Sequence, residues 1–497
     1  MRRERPRAAG AALSVLLAAG ACTSGADHEG AAPATSGPAT PQDTTSTVTE
    51  PAPISLRAAR SQPVDDPYFP QHGEPYLDTL HYDLNLSWHA AAATLDGTVQ
   101  IVFRVTEPRR QVQLDLGAPL AVSATTLDGH PVSSRHPGDA LVVRTGALGP
   151  GRLHKLSITY AGSPEPTAFP GSRTDIDALG WTTQPDGSVW AMQEPFGAFT
   201  WYPVNDQPSD KAFYDATISS DNGFTNVFNG QLLSTSTSGE TTTSSWHLDQ
   251  PAASYLVTIA IGSYAPTSAT GPAGVPVTYW TQPGDTTMDY LDESPQMLAW
   301  LSHLLGPYPF ASAGVVVVPA RSAMETQTLV TFSDAITSPG GDFLRPDLLH
   351  EFAHQWLGDS VTTDNWPDLW LNEGLTMYVQ LLWEDDQGLQ GYTSTIAEWA
   401  AEDNADRARY GPPGAYHPDE FASRNVYLSG AVMLDRIRQR VGDAAFFAAL
   451  RGWPQRHANA SADRTDFARW WSQRTGVDLT HFINAWLISP TTPTELP

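Results

Sequence analysis

Cysteine is almost missing. Cys22 is the one cysteine in 497 residues, so no disulfide within the chain can brace the fold. Lysine is nearly as scarce: Lys155 and Lys211 stand alone, and every other basic side chain is Arg. The 28 basic residues face 54 acidic ones, a formal net charge of −26. The first 21 residues contribute +3, from four Arg and one Glu, which leaves −29 beyond them. That excess argues against nucleic acid or an anionic bilayer as a partner of the folded body. The apolar run from Ala8 to Ala21 is fourteen residues long, too short to span a bilayer as a helix. Behind Arg2, Arg3, Arg5 and Arg7 it fits the core of an export signal over residues 1–21.

The run ends at Cys22, where a lone cysteine resembles the bacterial lipoprotein acceptor, cleaved before Cys and lipidated on its sulfur. Ala19-Gly20-Ala21 departs from the usual pattern, which more often carries Leu three residues before Cys, and an ordinary secretory signal is the alternative. Arg2-Arg3 matches twin-arginine export only in the pair itself. Residues 22–61 are rich in Ser, Thr, Pro, Ala and Gly and cannot bury enough surface to offset their ordering entropy. They read as a lipidated, flexible tether. The expectation is an exported, membrane-anchored protein facing the extracytoplasmic side, held by its N-terminal lipid only.

From 62 to 264 the pattern is strand-like. Alternation shows in Tyr82–Trp88, Val99–Val105 and Leu153–Tyr160, and Asp96-Gly97, Asp128-Gly129, Asp186-Gly187 and Asn222-Gly223 are turn signals. Long helical periodicity is absent, so a large antiparallel β domain is expected. Pro266–Gly274 reads as a junction, Ser294–Leu305 as a helix and Val315–Val318 as a buried strand. Helical patterns recur through Ala431–Arg440, Ala444–Leu450, Asp466–Gln473 and His481–Leu487.

The chemistry concentrates in Leu349–Tyr378. His350, Glu351 and His354 form H-E-x-x-H, and Glu373 follows on a second apolar segment, Leu369–Leu382. On a helix, i and i+4 share a face, so the two imidazoles can reach one ion. Catalytic zinc takes three protein ligands and leaves the fourth position to water, and Glu373 is the natural third. Glu351 is spare, which suits it to take a proton. A chance H-E-x-x-H in this composition has a probability of roughly 1%, and a fixed later Glu lowers it to roughly 0.05%. A solvated surface helix is the competing reading. It fits poorly, because Leu348, Leu349, Phe352, Trp356 and Leu357 surround these polar residues, which would need partners.

HEFAHQWLGD followed by DLWLNEG resembles the signature of the aminopeptidase N-like family of gluzincin zinc metallopeptidases, which includes leukotriene A hydrolase. The resemblance covers roughly residues 75–489. It implies an α+β multidomain fold: a β domain at 62–264, then a thermolysin-like, mainly helical zinc peptidase domain with a small mixed sheet at 265–489. Residues 490–497 remain as a tail. One Zn2+ per chain is implied.

Ser322-Ala323-Met324-Glu325-Thr326 lies where the family has G-A-M-E-N, whose edge pairs with substrate backbone and whose Glu binds the free N-terminus. Here Ser322 replaces Gly and Thr326 replaces Asn. Glu194, in Trp190–Pro195, falls on a position that binds the substrate's α-amino group in the family, although Met192 stands where Gln is usual. Tyr427 in Tyr427-Leu428-Ser429-Gly430-Ala431 resembles the oxyanion-binding Tyr of Y-x-K-G-A, with Ser429 in place of Lys. Read without the family, Glu194 is a solvated loop carboxylate, Glu325 an edge-strand carboxylate and Tyr427 a core tyrosine opening a helix.

The β-sandwich and large helical domain that close the cleft in many relatives have no room here, which implies a more open site. A zinc aminopeptidase acting on peptides, as a monomer, is the leading expectation. A zinc oligopeptidase without strict need for a free N-terminus, and a surface binding lipoprotein with a vestigial metal site, are the alternatives. Epoxide hydrolysis has no distinguishing support.

Overall fold

The computed structural model describes residues 55–285, 288–334 and 344–494, so the export signal, Cys22 and most of the tether lie outside the described residues. Residues 55–61, expected as the end of that tether, are instead anchored at Ala59 and Ser61. A 3-10 turn at Leu56–Ala59 buries Ala59 against Leu80 and Phe213. The Ser61 N–H donates to Asp78 (3.0 Å) and its carbonyl accepts from Arg104 (2.9 Å). The receiving sheet supplies partners that a count of apolar residues does not foresee.

The first half is built on an eight-stranded sheet, in the order Gln231–Ser238, Thr241–Ala253, Lys211–Ser220, Leu77–His89, Thr94–Val105, His154–Gly162, Leu120–Leu127 and His130–Pro131. Along Leu77–His89 the buried Tyr82, Leu84, Leu86 and Trp88 alternate with more open residues, the period-2 signature of a strand with one face inward. Neighbours pair antiparallel except Leu77–His89 with Lys211–Ser220, which run parallel. Parallel neighbours need a long crossover, and here the chain from 90 to 210 forms it. The antiparallel expectation is corrected at that one pair. A four-stranded sheet of Thr225–Phe228, Ile259–Gly262, Val189–Met192 and Gly180–Thr183 carries Met192 toward the second half.

Asp96-Gly97 is not a turn. It lies inside Thr94–Val105, and the reversal comes earlier, around Ala93 with its φ of 50°. A Cβ on Gly97 would sit 2.2 Å from the Tyr160 ring, so this glycine serves close packing and not a change of direction.

Pro266–Gly274 is likewise not a plain junction. Ala265–Thr270 pairs antiparallel with Pro276–Thr281 as the edge of a mixed four-stranded sheet completed by Ala313–Val318 and Val330–Ser333. Around it stand α1 (Ser294–Leu305), α2 (Leu344–His354), α3 (Trp370–Asp386), α4 (Tyr392–Tyr410), α5 (Arg424–Val441), α6 (Asp443–Arg456), α7 (Arg464–Thr475) and α8 (Thr480–Ile488). The sequence patterns reach α5 to α8 but not α4. Its buried side chains are Thr395, Ile396, Asp403 and Arg407, too polar a face to register as amphipathic.

All described residues belong to one compact unit. The Trp366 N–H donates to Asp66 (2.7 Å), Tyr68 Oη to the Tyr416 carbonyl (2.6 Å), and Asn229 Nδ2 to the Gln327 carbonyl (2.6 Å). Lys211 Nζ, buried, donates to the Asp359 carbonyl (2.7 Å).

Candidate active site

His350 and His354 lie one turn apart on α2, and Glu373 stands in the first turn of α3. Glu373 Oε2 is 3.2 Å from His350 Nε2 and 3.3 Å from His354 Nε2. Zinc–ligand distances near 2 Å place tetrahedral donors about 3.3 Å apart, so the three atoms already have the spacing of a zinc shell. The outward nitrogens are engaged as well. His350 Nδ1 faces Gln380 Oε1 (2.9 Å), and His354 Nδ1 faces the Leu357 carbonyl (3.0 Å). Gln380 Nε2 donates to Glu384 (2.9 Å), which fixes the amide orientation. Each Nδ1 therefore carries the proton, and each Nε2 turns a lone pair inward. These three residues are the one group of metal-ligand type among the described residues, and all three are buried. They hold zinc.

The electrostatics fit a cation. Burial alone would raise the Glu373 carboxyl, yet His354 and His350 hold it far below its usual range. Burial would lower the His354 imidazole, and the surrounding Glu325 and Glu373 raise it instead. Glu351, Glu194 and Glu325 are each pushed up by burial, and the neighbouring carboxylates add to the shift. Crowding so many carboxyl groups into one buried cluster is unfavourable until positive charge enters it.

Glu325 and Glu194 come together at this site from different halves of the chain. The Oε1 atom of each is buried and has no hydrogen-bond partner among the described residues. Ser322–Thr326 is not a regular strand: only Met324 bridges, to Thr331 on Val330–Ser333. The Ser322 hydroxyl accepts from Arg173 (3.1 Å). The buried Thr326 hydroxyl donates to the Leu329 carbonyl and also meets Thr331 Oγ1 (2.9 Å). Met324 Sδ lies 3.4 Å from the Gln193 N–H, and Ala323 packs at the edge of the core. The Tyr427 ring lies over His350, with centroids 6.2 Å apart and planes 28° apart.

Glycines set how α3 meets α5. A Cβ on Gly374 would lie 2.8 Å from Gly430 Cα, and one on Gly430 would lie 2.7 Å from Gly374 Cα. The backbones touch there, which brings Glu373 beside the turn that carries Tyr427. Ser429, where the resemblance leads one to expect Lys, accepts from Arg407 (2.9 Å), which also pairs with Asp403 (2.7 Å).

Sequence reasoning missed Gln380 and Arg173. Gln380 lies seven residues after Glu373 on the same helix face, a spacing that could have revealed it. Arg173 sits in an irregular segment with no periodicity, and nothing in the sequence points to it.

The profile of the Peptidase family M1 domain matches residues 290–486, and that of the Peptidase M1 N-terminal domain matches residues 78–256. Aminopeptidase M1 of Arabidopsis thaliana is 23% identical over 458 residues, covering 83% of this chain and 51% of its own. The chain spans about half the length of the curated relatives that it matches. A crystal structure of an M1 zinc metallopeptidase from Deinococcus radiodurans superposes with a TM-score of 0.77 at 29% identity, covering 88% of this chain and 99% of that one. A mutant of that protein has been solved with the substrate Tyr-Ser-Ala bound, and matches with a TM-score of 0.76 at 28% identity over the same shares of the two chains. With the β domain, the helical domain and the His350/His354/Glu373 centre all accounted for, this chain belongs to peptidase family M1, in a two-domain form.

Proposed function

We propose that the protein is a zinc aminopeptidase that removes N-terminal residues from peptides. The observation that carries this reading is the pair of unpartnered, buried carboxylate oxygens on Glu194 and Glu325 beside the metal residues. Buried carboxylates without partners are costly, and a substrate ammonium is a ligand that satisfies both. His350, His354 and Glu373 hold the zinc, which when bound makes water acidic and polarises the scissile carbonyl. Glu351 accepts the water's proton and returns it to the departing amine, a task suited to a buried carboxyl of raised proton affinity. The Tyr427 phenol donates to the oxygen that gains charge in the tetrahedral intermediate. Ser322, Ala323 and Met324 line the approach along which substrate backbone would run.

Hydrolysis of matched free and N-acetylated short peptides, with and without chelator, tests this. Free peptides should be cleaved and acetylated ones spared, and chelator should stop the reaction. Equal cleavage of both would favour a zinc oligopeptidase without an amine anchor. We also propose that the protein is exported and lipid-anchored at Cys22, on the strength of the basic, apolar and Cys pattern at residues 1–22. Cys22→Ala should then shift protein from membrane to medium, and an unchanged distribution would favour an ordinary secretory signal.

A further inference from the structure

Arg173 belongs to the β-domain segment between His154–Gly162 and Gly180–Thr183, yet it reaches two parts of the active site. Its Nη1 donates to Tyr427 Oη (3.2 Å), and its Nη2 donates to the Ser322 hydroxyl (3.1 Å). Asp175 grips the same guanidinium in a fork, taking Nε at 3.1 Å and Nη2 at 2.6 Å. A guanidinium has five N–H donors in one plane, and four are engaged here. The group is therefore fixed in place, with one donor to spare. Asp175 sets its plane, Ser322 sets its reach, and Tyr427 receives its remaining directed bond.

A phenol oxygen has one proton and two lone pairs. If a cation donates into a lone pair, the proton must turn to another acceptor, and the O–H becomes a better donor. The geometry makes this matter: the Tyr427 ring also lies beside the metal residue His350, so the direction of its O–H decides whether it faces the reacting carbonyl.

We propose that Arg173 is the positioning residue for Tyr427: its guanidinium, clamped by Asp175 and Ser322, holds the phenol with its proton directed at the reacting carbonyl oxygen. It also gives Ser322 a use, since a glycine at that position would offer no side-chain acceptor. The inference rests on the aminopeptidase reading and deepens it.

The test is a double-mutant cycle on zinc-loaded protein with a free short peptide, comparing Arg173→Met, Arg173→Lys, Tyr427→Phe and Arg173→Met/Tyr427→Phe. Losing one charge-assisted hydrogen bond corresponds to roughly a ten- to hundredfold change. Arg173→Met should lower kcat by that amount, with KM within about threefold and zinc content unchanged. In the Tyr427→Phe background the same change should alter kcat less than about threefold. Arg173→Lys keeps the charge but not the fork and should fall between Arg173→Met and the unmodified protein. It also serves if the Met variant fails to fold. A crystal structure of the substituted protein should show Tyr427 Oη displaced. A loss of equal size in both backgrounds, a change in KM alone, or full activity of Arg173→Met would overturn the proposal. If Tyr427→Phe itself is fully active, the oxyanion role of Tyr427 fails first. If Tyr427→Phe is crippled while Arg173→Met is normal, only the Arg173 proposal fails.

Discussion

The metal-binding half of the active site and the half proposed to hold the substrate amine are built in different ways. His350, His354 and Glu373 come from two consecutive helices, α2 and α3, and their spacing is written into a short run of chain. Glu194 and Glu325 come from irregular segments, the first in the β half and the second in the helical half. The metal half needs only helix periodicity and one crossing to form. The amine half exists only when the two domains are packed. Local geometry thus fixes the reaction centre, and tertiary packing fixes what is presented to it.

The largest effect should come from removing the base inside the metal half. Glu351→Gln should keep its zinc, since the three ligands remain, and lose about 10²- to 10⁴-fold in kcat. Metal analysis alongside kinetics checks it, and near-normal turnover would end the mechanism. A smaller loss should come from the other half. Glu325→Ala should cut hydrolysis of free peptides by roughly a hundredfold, about 3 kcal/mol, the scale of breaking a buried charge pair. It should barely touch any residual cleavage of acetylated ones. If both substrates fall together, the two halves are not separable and the contrast fails.

Smaller again is the joint between α3 and α5. Gly430→Ala drives a methyl against the Gly374 backbone and should cost about 1–3 kcal/mol of stability. Thermal unfolding reads this directly, and activity should drop because Glu373 and Tyr427 are spread apart. The smallest effect serves as a control in the β half. Asp215 accepts from His247 Nδ1 (2.7 Å) and pairs with His81 Nε2 (2.8 Å). Burial would raise the Asp215 carboxyl, but these imidazoles hold it well below its usual range, and Asp215 raises the His247 imidazole in turn. A depressed carboxyl stabilises above its unfolded pKa and loses that as pH falls. A raised histidine stabilises below its unfolded pKa and loses that as pH rises. Asp215→Asn should therefore destabilise most between about pH 4 and 6.5, by less than ~1 kcal/mol because the carboxylate is partly exposed. Unfolding measured across pH should show that window, and activity should stay unchanged.

Legibility followed the same division. The zinc ligands and the helices α1 and α5 to α8 could be read from residues because each is a local pattern. Asp96-Gly97 misled because the same dipeptide that opens a turn also makes room for a ring, and only the position of Tyr160 separates the two cases. The α4 helix stayed hidden because its buried face is an ion pair, Asp403 with Arg407, in place of an apolar stripe. Arg173 stayed hidden because its meaning depends on Tyr427, 254 residues away. In the sequence Ser322 is only a replacement for Gly, whereas in the fold its hydroxyl receives Arg173.

The seam between the halves bears on how such a protein can be cut or recombined. Lys211 Nζ finds its acceptor on Asp359, Asp66 receives Trp366, and Asn229 reaches Gln327, all across the line that the sequence suggests as a border. Expressed alone, either piece would present these groups with no counterpart, along with bare apolar surface. The border is therefore not a place for modular exchange. A chimera that grafts the β half of one relative onto the helical half of another would have to transplant Lys211, Asp66 and Asn229 with their receivers, and Arg173 with Tyr427, as matched sets.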